Sequence, residues 1–192
     1  MMKIFIAFLS YLLGSLPAGF VIAKFVYKQD IRTLGSGNIG ATNLLRNFGK
    51  AAGVMTFVFD CFKGILAVFI GKKLLGDSGA TIALMFVVLG HIFSIFLKFR
   101  GGKGIATSFG ALCVADFKMA MILITIFIIL VALTRKVSLG SVVVATLAPF
   151  LSFYYHGISS FSFAVLFIAV LIDFRHRANI KRLIRGEEKK LF

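Results

Sequence analysis

The chain has 192 residues, 59% hydrophobic and only 15% charged, with a net charge of +15 and a mean hydropathy of +0.99. Soluble domains are near half apolar and a quarter charged, so this composition excludes a soluble globular domain and predicts a single polytopic, all-α integral membrane domain over residues 1–192. The basic excess reads as positive-inside asymmetry and contact with anionic membrane lipids, and no aromatic-interleaved basic groove points to nucleic acid.

A first span is predicted at 4–23, with a kink at Pro17, whose ring removes a helix hydrogen bond. Lys3 before an apolar run gives this stretch some signal-peptide character. But twenty residues is long for such a segment, and Lys24, Phe25 and Val26 follow where small residues belong. A polar, glycine-rich stretch fills 24–50. Spans two and three are predicted at 51–71 and 78–97. A basic, glycine-rich turn follows at 98–104, then a short apolar segment at 104–115. Further spans are predicted at 119–134, 137–156 and 158–174, ahead of a basic tail.

Most of the 22 Lys and Arg fall in 24–50, 98–103, at Arg135 and Lys136, and in the tail from Arg175. The positive-inside rule places these four groups in the cytoplasm. The chain must then leave and return between 103 and 135. Residues 104–115 span only ~18 Å as a helix, so they form either a short crossing or a re-entrant segment. The first choice gives seven helices with the N-terminus outside and the C-terminus cytoplasmic, and is the one adopted here. The second gives five or six.

Cys61 and Cys113 lie far apart in apolar sequence, with no CxxC or Cys/His cluster, so no metal, disulfide or cofactor is expected. Chemistry concentrates in three cytoplasmic stretches. In Leu34-Gly35-Ser36-Gly37-Asn38-Ile39-Gly40-Ala41-Thr42-Asn43, three glycines let backbone N–H groups converge as an anion nest. A helix starting near Ala41 adds partial positive charge. Ser36, Thr42 and Asn43 offer neutral hydrogen bonds, and Arg46 can grip a phosphate. In Arg100-Gly101-Gly102-Lys103-Gly104-Ile105-Ala106-Thr107, small residues surround a lysine and a threonine follows, as in half of a P-loop. The full GxxxxGK[ST] pattern is absent, which disfavours nucleotide hydrolysis. In the tail, His176, Asn179 and Arg182 share a helix face, and Asp173 has the i, i+4 spacing to pair with Arg177. Within the spans, Asp60 and Lys63 sit three apart on one face. Intramembrane charges are costly, so these are paired or functional. His91 reads as a core histidine, and His156 as an outer-end residue without a role.

Taken together these residues resemble the bacterial acyl-phosphate:glycerol-3-phosphate acyltransferase family (PlsY-type), nearly end to end. The matches are Gly14-Ser15-Leu16-Pro17-Ala18-Gly19, residues 35–43, Asp60 with Lys63-Gly64, Gly90-His91, residues 101–107, Ser138, Ser141, and His176 with Asn179-Ile180 and Arg182. Two departures are visible: Ser94 stands where the family usually has proline, and Ala178 where it often has glutamate. The resemblance implies a seven-helix protein of the bacterial inner membrane with its active site facing the cytoplasm. It implies acyl phosphate and glycerol 3-phosphate as substrates, lysophosphatidic acid and phosphate as products, and no cofactor. Ser36, Arg46, Lys103, His176 and Asn179 are then the catalytic candidates. Gly37, Asn38, Gly40, Thr42, Asn43, Gly101, Gly102, Gly104, Thr107 and Ser141 are the phosphate-binding ones. An acyl phosphate is already activated, so no nucleophilic triad is needed, only positioning and charge stabilisation. The acyltransferase class with a His-x4-Asp motif is excluded, because Phe96, Phe161 and Lys181 stand five residues after the three histidines. The alternative is a small membrane transporter of an organic phosphate. Its site would lie near the midplane, whereas these motifs cluster on one membrane face.

Overall fold

The computed structural model describes residues 1–191. Helix is the only regular secondary structure among them. The chain forms two compact units, Met1–Ala115 and a second from Asp116 onward.

The first unit opens with α1 (Met2–Ser15) and α2 (Ala18–Phe25). The break between them falls at Leu16 and Pro17, as the missing proline amide predicts. It strips the last carbonyls of α1 of their helical donors, and side chains replace them. Ser94 Oγ donates to Ser15 O at 2.5 Å, and Lys63 Nζ donates to Leu16 O at 2.9 Å. A short amphipathic helix, α3 (Ala41–Phe48), follows. Next comes α4 (Lys50–Ile92), interrupted by non-helical backbone at Leu75 and Gly76. Gly76 has φ +59°, a left-handed conformation that suits glycine. The two arms of α4 turn back against each other at Gly71 and Gly79, where a Cβ on Gly79 would stand 2.0 Å from Gly71 O. The connection expected over 72–77 thus contracts to two residues.

Span three stops earlier than expected, at Ile92 rather than Leu97. Residues 93–104 are irregular apart from a 3-10 turn, Ile95–Leu97, and Lys98 and Phe99 have φ of +52° and +61°. Helix α5 (Ile105–Ala115) completes the unit. Its helices cross at glycines. A Cβ on Gly14 would meet Val87 O at 2.0 Å, on Gly90 Tyr11 O at 2.2 Å, on Gly64 Thr107 O at 2.3 Å, and on Gly110 Cys61 O at 2.0 Å. Small residues bring backbones together in this way where lipid offers no hydrophobic driving force.

The second unit holds α6 (Phe117–Thr134), α7 (Val137–His156), α8 (Ser160–Arg175) and α9 (Arg177–Ile184). Asp116 caps α6 by accepting from Met119 N–H at 2.9 Å, and its other oxygen lies 2.7 Å from His156 Nε2. Ser152 and Ser162 join α7 to α8 at 3.1 Å. The expected Asp173–Arg177 pair is not formed. Helix α8 ends at Arg175 and α9 begins at Arg177, so the two residues do not share one continuous helix. Asp173 Oδ2 accepts instead from Thr146 Oγ1 at 3.0 Å, and the Arg177 guanidinium lies 4.6 Å over the Phe174 ring.

Among the described residues, four helical stretches are long and apolar enough to cross a membrane: Met2–Phe25, Lys50–Leu97, Phe117–Thr134 and Val137–His156. The second, 48 residues long, contains the turn at Leu75 and Gly76.

Beyond α9, Gly186 (φ +73°) turns the tail back. Glu188 is buried at 7% exposure. Its Oε1 accepts from Ser138 Oγ at 2.8 Å and Asn179 Nδ2 at 2.7 Å, and its Oε2 accepts from Arg182 Nε at 2.7 Å. Leu191 N–H donates to Arg135 O at 2.7 Å. Burial alone would raise the Glu188 carboxyl, but the bonds from Ser138, Asn179 and Arg182 prevail and hold it below its ordinary 4.5. A Glu188→Ala variant strands two buried donors, Ser138 and Asn179, and the partly exposed Arg182, and is expected to lose about 2 kcal/mol of stability near neutral pH, read as a lower unfolding temperature in detergent. Because the folded-state pKa is depressed, this contribution is complete above pH 4.5 and fades as pH falls through the lower folded value. The gap between wild type and variant should therefore narrow in acid.

Candidate functional site

In the first unit, the stretch around Ser36 is a loop organised by one buried amide. Gly35 and Gly37 have φ of +56° and +69°, so both positions favour glycine. Asn43 is 4% exposed. Its Nδ2 donates to Asn38 O at 2.8 Å, Leu34 O at 3.1 Å and Ile31 O at 3.4 Å. Its Oδ1 accepts from Ser36 N–H and Asn47 Nδ2, both at 3.1 Å. Asn43 is thus the scaffold of the loop, its donors and acceptor already engaged. Asn38 Oδ1 accepts from Gly40 N–H at 2.8 Å, and Gly37 N–H donates to Leu34 O at 2.9 Å. The Gly37 and Gly40 amides are therefore engaged within the loop itself. Among the described residues, the amides of Asn38, Ile39, Ala41 and Thr42 have no protein acceptor, and the last two open α3. Ser36 and Arg46 are exposed, and Thr42 is half-buried.

Arg32 is committed to Asp30. Its Nη2 lies 2.6 Å from Asp30 Oδ2, and this guanidinium, with the Arg32 backbone N–H, holds the Asp30 carboxyl down to about 2. Arg46 is the basic residue that α3 itself carries.

The second loop, 101–107, is anchored to the end of α4. Gly101 N–H donates to Ile92 O and Gly102 N–H to His91 O, each at 3.0 Å. Neither amide is turned to a ligand, contrary to the nest expected at 101–104. A Cβ on Gly102 would stand 2.1 Å from His91 Nε2, and one on Gly101 2.0 Å from His91 O, so these glycines are required by close approach. Gly104 has φ +96° and precedes α5, whose first turn includes Ile105, Ala106 and Thr107. Thr107 is fully buried, and its hydroxyl has no partner among the described residues. Lys103 is half-buried at the entrance to this helix. The 3-10 turn that leads into this loop packs with the first loop, because Leu97 joins Ile31, Ile39 and Leu44 in one cluster. Two helix N-termini, a lysine and an arginine thus belong to the same unit.

The second unit carries the remaining candidates. His176 is 3% exposed and links α8 to α9. Its Nδ1 lies 2.9 Å from Ile172 O. A carbonyl only accepts, so Nδ1 carries the proton and Nε2 is the acceptor nitrogen. Asn179 is 8% exposed and bound to Glu188. Ser141 is buried on α7, and its hydroxyl donates to Val137 O at 3.0 Å. Sequence reasoning gave Glu188 no role, although it joins Ser138, Asn179 and Arg182. The available signal was Gly186, a turn residue just past α9 followed two positions later by an acid. The spacing of Asp60 and Lys63 allowed for their mutual pairing, which forms, but sequence reasoning gave His91 no link to that pair. Lys63 Nζ lies 2.7 Å from Asp60 Oδ1, and His91 Nδ1 lies 3.5 Å from the same oxygen.

The family described as "Glycerol-3-phosphate acyltransferase" matches residues 4–186. A relative of that name from Carboxydothermus hydrogenoformans is 45% identical over 99% of this chain and 97% of its own. Another, from Prochlorococcus marinus (strain MIT 9312), is 43% identical over 99% and 98%. A crystal structure titled PlsY (YgiH), an integral membrane glycerol 3-phosphate acyltransferase, in its glycerol 3-phosphate form, superposes with a TM-score of 0.93. It is 35% identical and covers 99% of this chain and 96% of that one. Its lysophosphatidic acid form gives a TM-score of 0.90. With a family match over nearly its whole length, and a solved integral membrane structure sharing its fold, this chain belongs to the glycerol-3-phosphate acyltransferase family.

Proposed function

We propose that this protein transfers a fatty acyl group from acyl phosphate to the 1-hydroxyl of glycerol 3-phosphate, giving lysophosphatidic acid and inorganic phosphate. The observation that carries the reading is the end-to-end likeness to glycerol-3-phosphate acyltransferases, including a structure titled as a glycerol 3-phosphate form. The anion-suited starts of α3 and α5 support it. In the reaction the hydroxyl oxygen attacks the acyl carbonyl carbon, and the bond from that carbon to the phosphate oxygen breaks. The electron pair leaves with phosphate. The alcohol proton passes to His176 or to a phosphate oxygen of a substrate.

Ser36, Arg46, Lys103 and Asn179 hold the substrate phosphates in this reading. Thr42, Thr107, Ser141 and the amides that open α3 and α5 add hydrogen bonds. Gly37, Asn38, Gly40, Asn43, Gly101, Gly102 and Gly104 give the loops their shape. Acyl phosphate is the proposed donor because a compact dianion sits directly on its reacting carbonyl. Neutralising that group makes it a good leaving group. A thioester places no phosphate at the reacting carbon.

The chain is further proposed to be one polytopic domain of a bacterial inner membrane. It crosses seven times: α1 with α2, the two arms of α4, α5, α6, α7 and α8. The N-terminus lies outside, and the motif loops and C-terminus face the cytoplasm. The distribution of basic residues supports this orientation.

Purified protein given labelled glycerol 3-phosphate should form lysophosphatidic acid with acyl phosphate and none with the matching acyl-coenzyme A. Efficient turnover of the thioester, or none of the acyl phosphate, would sink the proposed reaction. Replacing Lys103 or Arg46 with Ala should lower kcat/KM by about ten- to a hundredfold or more, the worth of a charge-assisted hydrogen bond at roughly 1.5–3 kcal/mol. Near wild-type rates for both variants at sub-saturating substrate would refute the phosphate-loop assignment. For topology, single cysteines at the exposed positions Ser78 and Arg185, with Cys61 and Cys113 removed, should react differently with an impermeant thiol reagent on intact cells. Labelling is expected at 78 and not at 185, and the reverse pattern overturns the orientation.

A further inference from the structure

We infer that His91 is a positioning residue for the glycine loop 101–104, and that the buried Asp60–Lys63 pair locks it in place. The inference rests on the proposed role of Lys103 in holding a substrate phosphate. Asp60, Lys63 and His91 are 3%, 5% and 4% exposed. A buried ion pair is weak evidence of stabilisation, because well-packed apolar residues often do as well or better. Here the geometry supplies another use for it. Lys63 is fixed at both ends of its charge, to Leu16 O and to Asp60 Oδ1. Asp60 Oδ1 also stands 3.5 Å from His91 Nδ1. The far edge of the ring, at Nε2, lies where a Cβ on Gly102 would be 2.1 Å away. The main chain of the same residue accepts from Gly102 N–H, and that of the next from Gly101 N–H. One residue after Lys63, Gly64 lies against the Thr107 carbonyl, 2.3 Å from a built Cβ. Segment 60–64 therefore reaches the loop twice, through His91 at Gly102 and directly at Thr107, and Lys103 lies in between. A flat buried ring with a carboxylate 3.5 Å from one edge presents a wall to the loop with its other edge. An unanchored apolar side chain of similar size has no such rotational key.

The test is a double-mutant cycle on the full-length protein in detergent, with acyl phosphate as donor and kcat and KM for each substrate measured separately. His91→Ala should raise KM for the substrate whose phosphate the loop holds by about tenfold, with kcat changed much less. Gly102→Ala should be more damaging, because its methyl meets the ring. Combining the two removes the obstacle, so the double variant should be no worse than Gly102→Ala alone. Losses that simply multiply would overturn the inference. His91→Asn keeps a donor near the Nδ1 position and should restore most of the KM. An Asn variant as impaired as Ala, at an equal unfolding temperature, would count against it. Asp60→Asn with Lys63→Met removes both charges together, and because it also removes the Lys63 bond to Leu16 O it should lower the unfolding temperature as well as raise the same KM; an unchanged KM overturns the locking role.

A second readout needs no turnover. Hydrogen exchange of the peptide covering 98–107 should quicken in His91→Ala, and unchanged exchange sinks the inference whatever the activity. Wild-type protein that makes no lysophosphatidic acid sinks the proposed reaction instead, so the two failures are separable.

Discussion

The constraint on which the first unit depends is a pair of carbonyls that the helix break at Pro17 leaves without helical donors. In a membrane interior an unpaired backbone carbonyl costs several kcal/mol, since no water is present to bind it. The break at Pro17 creates this problem at Ser15 and, in part, at Leu16, whose carbonyl also accepts from Ala18 N–H at 3.2 Å. The answer comes from two distant places in the sequence, Ser94 and Lys63. Using an ammonium group for this purpose imports a charge, and Asp60 neutralises it. Asp60 in turn reaches His91, which lies against the second glycine loop. The kink in the first span and the setting of the Lys103 loop are thus linked by one chain of polar contacts. Any such chain must be fully satisfied, because a partly satisfied buried network is worse than an apolar core.

The spans themselves were legible because hydropathy reports length directly. Pro17 was legible as a break, and Gly76 marks the turn inside α4. The end of span three was not. Phe93, Ile95, Phe96 and Leu97 are as apolar as the helix before them, and hydropathy cannot separate a helix from an irregular apolar segment. What ends α4 is the return of the chain, with Gly101 and Gly102 donating to its last carbonyls. That is a contact some ten residues away in sequence. The Asp173–Arg177 expectation failed for a similar reason. Helical spacing assumes one continuous helix, and the chain breaks between the two at His176.

The candidate site shows the same division. Glycines beside Lys103 and Ser36 announce phosphate chemistry in the sequence. The expectation that their amides would face a ligand is only partly met, because a glycine amide is also the easiest one for a turn to use. Gly37, Gly40, Gly101 and Gly102 all donate within the protein. The donors left include the loop amides of Asn38 and Ile39 and the first amides of α3 and α5, where helical geometry guarantees that no intrahelical acceptor exists. Asn43 illustrates the ambiguity of an amide side chain. At the surface it would face solvent, and at 4% exposure it organises the loop backbone instead. Residue type suggested the chemistry, and burial decided the role.

The two departures from the family pattern can be weighed on the same terms. Ala178 is exposed on α9, so a change there touches no buried packing. Ser94 is 1% exposed, and a serine in place of proline at such a position would ordinarily unsettle its surroundings. Yet the backbone at Ser94 has φ −60° and ψ 122°, within the range that a proline ring imposes. Among the described residues its N–H has no acceptor, so a proline would forfeit no hydrogen bond there. Serine keeps the proline-like turn after α4 and adds a hydroxyl that proline lacks, donated to the Ser15 carbonyl that Pro17 leaves exposed. The departure falls on a buried position where a small hydroxyl closes the first span, and it supplies a hydrogen bond that a proline ring could not.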